Sequence, residues 1–313
     1  MTDRTAPTFA WDELNRGERV DELRRCVTEQ GAFYLDVDDA LFAAHERAGD
    51  AAMQFFTTAD DTAKRAVTNL SPTMRRGFSP LGSESTARST NTGDYSDYAM
   101  VYSMGINDNM FPSAEFERIW KDYFDLFYRI SQDAAKAVLR SMDVHLVADL
   151  DALVDCNPVL RYRHWPDVPE ERCAELQPNR MAPHYDLSIV SLIVQTPSPN
   201  GFVSLQVEVD GEFIGLPPRP GCVLVFCGSV APLLTDGRIK APQHRVVSPQ
   251  LSQRAGSERA SSVLFLRPRS EFTFSVPLAK SLGMATGLAG EVATFGEWCG
   301  DSYMEMHVTT SPA

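Results

Sequence analysis

Hydrophobic positions recur at two different spacings in this chain, and the spacing changes near Pro158. Before that point apolar residues return every three to four positions, the period of a helix with one buried face. The pattern predicts a helix over 11–30, a second from about 40 to 56, and a third from Ser113 to about Met142. The third is the most clearly marked. Phe116, Ile119, Trp120, Tyr123, Phe124, Phe127 and Ile130 form its stripe, Ser113 is placed to cap it, and Glu115 and Glu117 suit the positive end of its dipole. That stripe reads as core packing. A short strand is expected to open the chain, and another to run over 31–35. Residues 69–113 are rich in Ser, Thr, Gly, Asn and Pro and are expected to be mostly loop. Their arginines and aromatic residues, including Arg75, Arg76, Tyr95, Tyr98 and Tyr102, suit a functional loop better than a linker.

After Pro158 the period shortens. Strand-like runs are expected over 159–165, 184–195, 202–209, 223–227, 245–248, 261–267 and 272–276. Turn residues separate them, among them Asn200-Gly201, Asp210-Gly211, Pro217-Pro218 and Pro220-Gly221. Many short strands between turns argue for a mainly β fold with flanking helices, built on a double-stranded β-helix or jelly-roll core. One domain over 1–313 is expected. Residues 1–157 would be its mostly helical N-terminal part, 158–280 the jelly-roll core, and 281–313 a tail that folds over the opening. No internal repeat or low-complexity tract is present.

Composition narrows the function classes. With 313 residues, 43% of them hydrophobic and 23% charged, the chain can bury a sizeable core. Its net charge of -13 argues against nucleic acid, which asks for a basic face. No apolar run approaches the roughly 18 residues of a membrane span. The six cysteines (26, 156, 173, 222, 227 and 299) include no C-x-x-C pair. With Met1-Thr2-Asp3-Arg4 unlike a signal peptide, they read as reduced thiols of a cytoplasmic protein.

The candidate chemistry lies in the strand-rich part. In an extended strand His184 and Asp186 point the same way, and His244 in Ala-Pro-Gln-His-Arg-Val can supply a third ligand. Two imidazoles and one carboxylate hold non-haem Fe(II) on one face and leave the other open. Arg259 and Ser261 form another i, i+2 pair, able to grip a carboxylate through a bidentate, charge-assisted contact. Singly, each piece has a bland reading: a chance H-x-D, a loop histidine near Pro242, a solvated arginine beside Glu258. Their order and spacing together point to an Fe(II) and 2-oxoacid oxygenase. A hydrolytic zinc site would use the same three ligands but leaves Arg259 and Ser261 idle and lacks an evident general base. A non-catalytic module that retains the fold is the remaining alternative. His45, His145 and His307 show no partner spacing and are left out of the site.

Several segments carry a family resemblance. Pro72-Thr73-Met74-Arg75-Arg76-Gly77-Phe78, Glu84-Ser85-Thr86, Tyr95-Ser96-Asp97-Tyr98, Met181-Ala182-Pro183-His184-Tyr185-Asp186-Leu187-Ser188, Asn200-Gly201-Phe202 and Ser261-Ser262-Val263-Leu264-Phe265-Leu266-Arg267-Pro268 are the chief ones. Nearly end to end, the chain resembles the β-lactam-oxidising group in the isopenicillin N synthase-like branch of the 2-oxoglutarate oxygenases. The resemblance implies His184, Asp186 and His244 as iron ligands, and Arg259 and Ser261 as the 2-oxoglutarate anchor. It implies Arg75, Arg76, Arg161, Arg163, Met181 and Phe265 as substrate-side residues. Fe(II), 2-oxoglutarate and O2 would be the cofactor and cosubstrates, and a small β-lactam the partner. The implied reaction is oxidative ring expansion of penicillin N, with hydroxylation of a cephem 3-methyl group the second choice, since both use the same residues. The C-terminal tail is the candidate for self-association. The chain departs from the group at His164-Trp165, at Ser198-Pro199 and at Ser302-Tyr303-Met304-Glu305. Glu305 is expected to meet the substrate as a carboxylate where the group carries an amide.

Overall fold

The strand Arg259–Leu266 is buried at every position, and its two faces serve different layers. Arg259, Ser261, Val263 and Phe265 line an internal cavity, whereas Ala260, Leu264 and Leu266 join the larger hydrophobic core beneath the helices. Alternation of side chains along a strand produces this division, and burial on both faces explains the unbroken apolar run in the sequence. The computed structural model describes residues 6–68, 75–171, 177–284 and 287–308, so the resemblance segment 72–74 and Cys173 lie outside the described residues.

This strand sits inside an eight-stranded sheet. The order is Thr8–Ala10, Ala32–Asp36, Cys222–Cys227, Val190–Gln195, Arg259–Leu266, Val159–Trp165, Met100–Gly105 and Gly77–Ser79. A four-stranded sheet of Asn179–His184, His244–Val247, Leu205–Val209 and Glu212–Gly215 faces it. A smaller core fills the space between the two, with Tyr34, Trp165, Ile193, Leu224, Phe226 and Val263 from the large sheet meeting Met181, Leu205, Val207 and Val246 from the small one. Two facing, mainly antiparallel sheets with helices outside are a jelly-roll arrangement. The helix Ala114–Ser141 covers the outer face, with Phe116, Trp120, Tyr123, Phe124, Phe127 and Ile130 buried as the stripe predicts. Ser113 Oγ accepts the Phe116 backbone N–H at 3.1 Å and caps it.

Four expectations need correction. The helix expected over 11–30 is two helices, Trp11–Asn15 and Val20–Glu29, because Gly17 and Arg19 take left-handed backbone conformations between them. The stretch 69–113 is less a loop than its composition suggests. It supplies the strands Gly77–Ser79 and Met100–Gly105 and the short helix Thr86–Ser89. Ser103 and Gly105 hide the strand pattern there, while Tyr102 packs edge-on against Trp120 at 4.6 Å. The strand expected over 184–195 is interrupted: Asn179–His184 belongs to the small sheet and Val190–Gln195 to the large one, so residues 185–189 cross between sheets. Glu212–Gly215 is a further strand that the apolar pattern missed, being the partly exposed edge of the small sheet.

Among the described residues no helix is long and apolar enough to cross a membrane, and Cys26, Cys156, Cys222, Cys227 and Cys299 are free thiols. After the antiparallel pair of Thr273–Ser275 and Val292–Thr294 comes the helix Phe295–Met306, opened by a Thr294–Glu297 capping box.

His45 joins three layers, its Nδ1 lying 3.2 Å from Tyr123 Oη on the long helix and 3.1 Å from Ser262 Oγ on the central strand. Burial pushes its pKa down to about 4, so it is neutral in the folded state near pH 7. A depressed folded pKa means that stability is complete above the unfolded value of about 6.5 and is lost as pH falls toward 4. The shift corresponds to at most about 3 kcal/mol. In urea titrations between pH 7 and 4, His45→Gln is expected to lose acid stability less steeply than the wild type. Equal slopes would show that His45 carries no such linkage. Asp97, which burial raises to about 7, contributes an opposite slope in both proteins and cancels from the comparison.

Candidate active site

His184 is the last residue of its strand and His244 the first of the neighbouring one, and the antiparallel register sets the two opposite each other. Their rings lie 4.2 Å apart between centroids, and Phe226 packs 4.6 Å from His244. Asp186 does not share their strand. It stands in the crossing between sheets, where its carbonyl accepts the Ser229 N–H and Oγ–H, each at 2.8 Å. That anchorage, rather than strand alternation, aims its carboxylate at the histidines. Asp186 Oδ1 lies 3.6 Å from His184 Nε2 and 3.5 Å from His244 Nε2. The three ligand atoms all lie within 4.8 Å of one another, the only such group of metal-ligating side chains among the described residues.

The surroundings suit a cation. His184 Nδ1 lies 2.8 Å from the Ala182 carbonyl and His244 Nδ1 3.3 Å from that of Pro242. In the tautomer that donates to those carbonyls, each Nε2 presents a lone pair to the centre. Burial, and then the neighbouring His244, push the His184 pKa down to about 3, which keeps it neutral as a ligand must be. Burial by itself would raise the Asp186 carboxyl, yet His244 and His184 hold it below its ordinary value. Its Oδ2 is buried with no hydrogen-bond partner among the described residues. A buried carboxylate with an orphaned oxygen is costly unless something positive meets it. Two imidazoles and one carboxylate, open on one side, fit non-haem Fe(II).

The cavity continues from this triad along the inner face of the large sheet. Register pairs Arg259 with Trp165, Ser261 with Arg163 and Val263 with Arg161. Arg259 is buried, donates through Nε to Ser204 Oγ at 2.6 Å and through Nη1 to Gln195 Oε1 at 3.4 Å, and has no acidic partner among the described residues. Desolvation, with Arg180 and Arg163 nearby, brings its pKa down to about 9, which leaves it cationic at neutral pH. Ser261 Oγ accepts Trp165 Nε1–H at 3.2 Å, which fixes the hydroxyl beside the guanidinium. A fully buried cation with only neutral partners, next to a fixed hydroxyl, is a receptor for a carboxylate. The donor set thus fits the far carboxylate of 2-oxoglutarate.

The other predicted residues fall into distinct groups. Arg163, Met181 and Phe265 line the cavity with the triad. Arg163 makes no hydrogen bond or ion pair among the described residues and lies over the Phe265 ring at 5.8 Å. Arg161 is held by Ser103 Oγ at 3.1 Å and Glu84 at 2.5 Å, and Arg75 approaches the same Glu84 oxygen at 3.3 Å. Arg76 turns elsewhere, to the carbonyls of Asn107 and Arg75, over Gly105, where any Cβ would meet its guanidinium. Glu305 is exposed on the outer side of the C-terminal helix in a surface groove with Arg88 and Asp301, while Phe295, Trp298 and Tyr303 are the buried residues of that helix. His164, on the face opposite Arg163, lies 3.9 Å from Glu258 and away from the cavity. Sequence reasoning passed over Gln195, Ser204, Glu84 and Arg267. Of these, Arg267, just past the end of the strand and lying over the Phe265 and Tyr303 rings at 5.3 and 5.0 Å, was within reach, since it continues the step of two from 259, 261, 263 and 265.

Residues 156–268, which hold all of these strand-borne groups from Val159 onward, match the model of the 2OG-Fe(II) oxygenase superfamily. The chain is 52% identical over 312 residues to deacetoxycephalosporin C synthase of Amycolatopsis lactamdurans, covering 99% of each protein. It is 50% identical over 315 residues to deacetoxycephalosporin C hydroxylase of Streptomyces clavuligerus, covering 100% of this chain and 99% of that one. Its fold is similar to that of a full-length Neurospora crassa protein crystallised in complex with alpha-KG and thymine, with a TM-score of 0.76 at 20% identity over 97% of this chain and 98% of that one. A chain that shares half its residues end to end with such enzymes, and folds the donor set they require, belongs to the 2OG-Fe(II) oxygenase superfamily as an Fe(II)- and 2-oxoglutarate-dependent dioxygenase.

Proposed function

We propose that this dioxygenase oxidises a β-lactam, by ring expansion of penicillin N to deacetoxycephalosporin C. The observation that carries the reading is the layout of the inner row. One anion receptor, Arg259 with Ser261, lies at one end, and the unpaired buried guanidinium of Arg163 stands beside it, followed by Arg161. Two carboxylate-bearing molecules can therefore share the cavity, each held by its own cation, with the triad between sheets above them. Full-length identity to a deacetoxycephalosporin C synthase supplies the substrate class. The comparable identity to a deacetoxycephalosporin C hydroxylase favours hydroxylation of the cephem as the second reading, in the same cavity.

The roles follow from chemistry. His184, Asp186 and His244 would hold the iron, and Arg259 with Ser261 would orient 2-oxoglutarate. Arg163, with Arg161 and Arg75 behind it, would meet the substrate carboxylate, while Met181 and Phe265 supply apolar surface that keeps water from the reacting C–H bond. When bound, the iron would supply the oxidising centre, with O2 as the oxidant and 2-oxoglutarate, together with the prime substrate, as the source of electrons, 2-oxoglutarate leaving as succinate and CO2. The protein contributes position. Arg76 and Glu305 stand outside this set, and a groove-lining role for Glu305 toward an extended substrate is all its exposed position supports.

Three measurements test the reading. Anaerobic loading with Fe(II) and 2-oxoglutarate, followed by O2 and penicillin N, is expected to give a product two hydrogens lighter. A cephem one oxygen heavier from deacetoxycephalosporin C, with penicillin N untouched, would replace expansion by hydroxylation. EDTA is expected to abolish succinate formation and Fe(II), not Zn(II), to restore it; restoration by Zn(II) would argue for hydrolytic chemistry. Arg259→Gln is expected to raise the KM for 2-oxoglutarate by roughly 30- to 150-fold, the loss of about 2–3 kcal/mol of charge-assisted contact. An unchanged KM would remove Arg259 from the anchor.

A further inference from the structure

Glu84 occupies a place that nothing in the reaction requires of a carboxylate. It is buried, and its Oε1 lies 2.5 Å from Arg161 Nη2 and 3.3 Å from Arg75 Nε, with Ser79 Oγ at 3.5 Å. One oxygen thus bridges two guanidinium groups from different elements, one on the inner row of the large sheet and one just before its edge strand. Burial would raise this carboxyl, but Arg161, Arg75 and Arg163 hold it down at about 2, so it is charged at any working pH.

The same segment is tied to the C-terminal helix. Ser85 N–H donates to the Met306 carbonyl at 2.8 Å, Val308 N–H to that of Ser83 at 3.3 Å, and Glu84 pairs with His307 in an antiparallel bridge. Arg75 reaches the helix from the other side, donating to the Tyr303 carbonyl at 3.2 Å and lying 5.3 Å from the Tyr303 ring. Glu84 therefore stands where the arginine row and the docked helix meet.

We propose that Glu84 is a positioning residue for the prime substrate: it fixes Arg75 and Arg161 toward a substrate carboxylate and couples that arrangement to the seating of the Phe295–Met306 helix. The physical reason is repulsion. Arg75, Arg161 and Arg163 lie close enough to influence one another in a buried space, and Glu84 is the ionised group that lets the first two share it. Arg161 spends Nε on Ser103 and Nη2 on Glu84, which leaves Nη1 directed by both. Without the carboxylate the two guanidiniums separate, and a substrate carboxylate no longer meets a preset geometry. Arg259 and Ser261 stand at the other end of the row and do not touch Glu84.

This inference rests on the reading of the cavity as a site for an anionic β-lactam. The test compares Glu84→Gln and Glu84→Asp in the full chain. Dissociation constants for penicillin N and for 2-oxoglutarate are measured by anaerobic calorimetry on Fe(II)-loaded protein, with the two KM values alongside. Glu84→Gln is expected to weaken penicillin N binding at least tenfold while 2-oxoglutarate binding moves less than threefold, and to speed limited proteolysis within the C-terminal helix. Glu84→Asp keeps the charge but draws it back by one carbon, and is expected to fall between, several-fold weaker for penicillin N. Should Glu84→Gln fail to fold, the Asp variant carries the test alone. Penicillin N affinity within twofold of wild type in a folded variant, or both constants shifting together, would overturn the proposal. Wild-type protein that binds no β-lactam would overturn the substrate reading and this inference with it.

Discussion

The two-residue period of the strand Arg259–Leu266 is the constraint on which the rest depends. A strand buried on both faces must satisfy two environments at once, and alternation lets one sequence do so. Its outward residues Ala260, Leu264 and Leu266 are part of the apolar layer under the helices. Its inward residues Arg259, Ser261, Val263 and Phe265 line the cavity. A one-residue slip would drive a guanidinium into the hydrophobic core and a leucine toward the metal triad. The neighbouring strand Val159–Trp165 obeys the same rule, with Leu160 and Tyr162 outward and Arg163 and Trp165 inward. The register between the two strands then sets Ser261 beside Arg163, which brings the Arg259–Ser261 pair and the Arg163 guanidinium into one row.

Electrostatics gives that row its purpose. The chain as a whole is acidic, at -13, yet Arg75, Arg161, Arg163, Arg180, Arg259 and Arg267 are all buried. Burying cations costs free energy unless each meets an anion or good acceptors. Glu84 meets two of them, and Arg180 donates through Nη1 and Nη2 to the carbonyls of Ser257 and Pro166, each at 3.1 Å, while its Nε has no partner among the described residues. Arg163 and Arg259 have no acidic partner in ion-pair contact among the described residues, and desolvation lowers the pKa of both, to about 10 and about 9. The orphaned Asp186 Oδ2 is the mirror image of this, an anion that waits for a cation. Buried charges of both signs inside one cavity become favourable contacts where a metal and anions meet them.

Much of this was legible along the chain. The long helix was readable because its stripe, its serine cap and its acidic first turn all agree, and the structure places Ala114–Ser141 where they point. The strand Val159–Trp165 was readable for the same reason. Met100–Gly105 was not, because a central strand whose neighbours supply the packing tolerates Ser and Gly that read locally as loop. Of the site, the ligand trio and the Arg259–Ser261 pair were visible as residue types at telling spacings. Glu305, singled out for its chemistry, stands exposed on the outer helix face, since residues two apart on a helix point in nearly opposite directions and Tyr303 holds the inner one.

The sequence by itself determined the kinds of groups available and the faces on which they could stand, because both follow from side-chain chemistry and from periods of 2 and 3.6 residues. Only the tertiary structure decided which groups meet. Asp186 reaches the histidines because the chain crosses between sheets and Ser229 pins its carbonyl there. Glu84 reaches Arg75 and Arg161 because three distant segments converge under the C-terminal helix. Local periodicity carries no information about such convergence, which is fixed by how the sheets face each other and by which charges must find partners once water is gone.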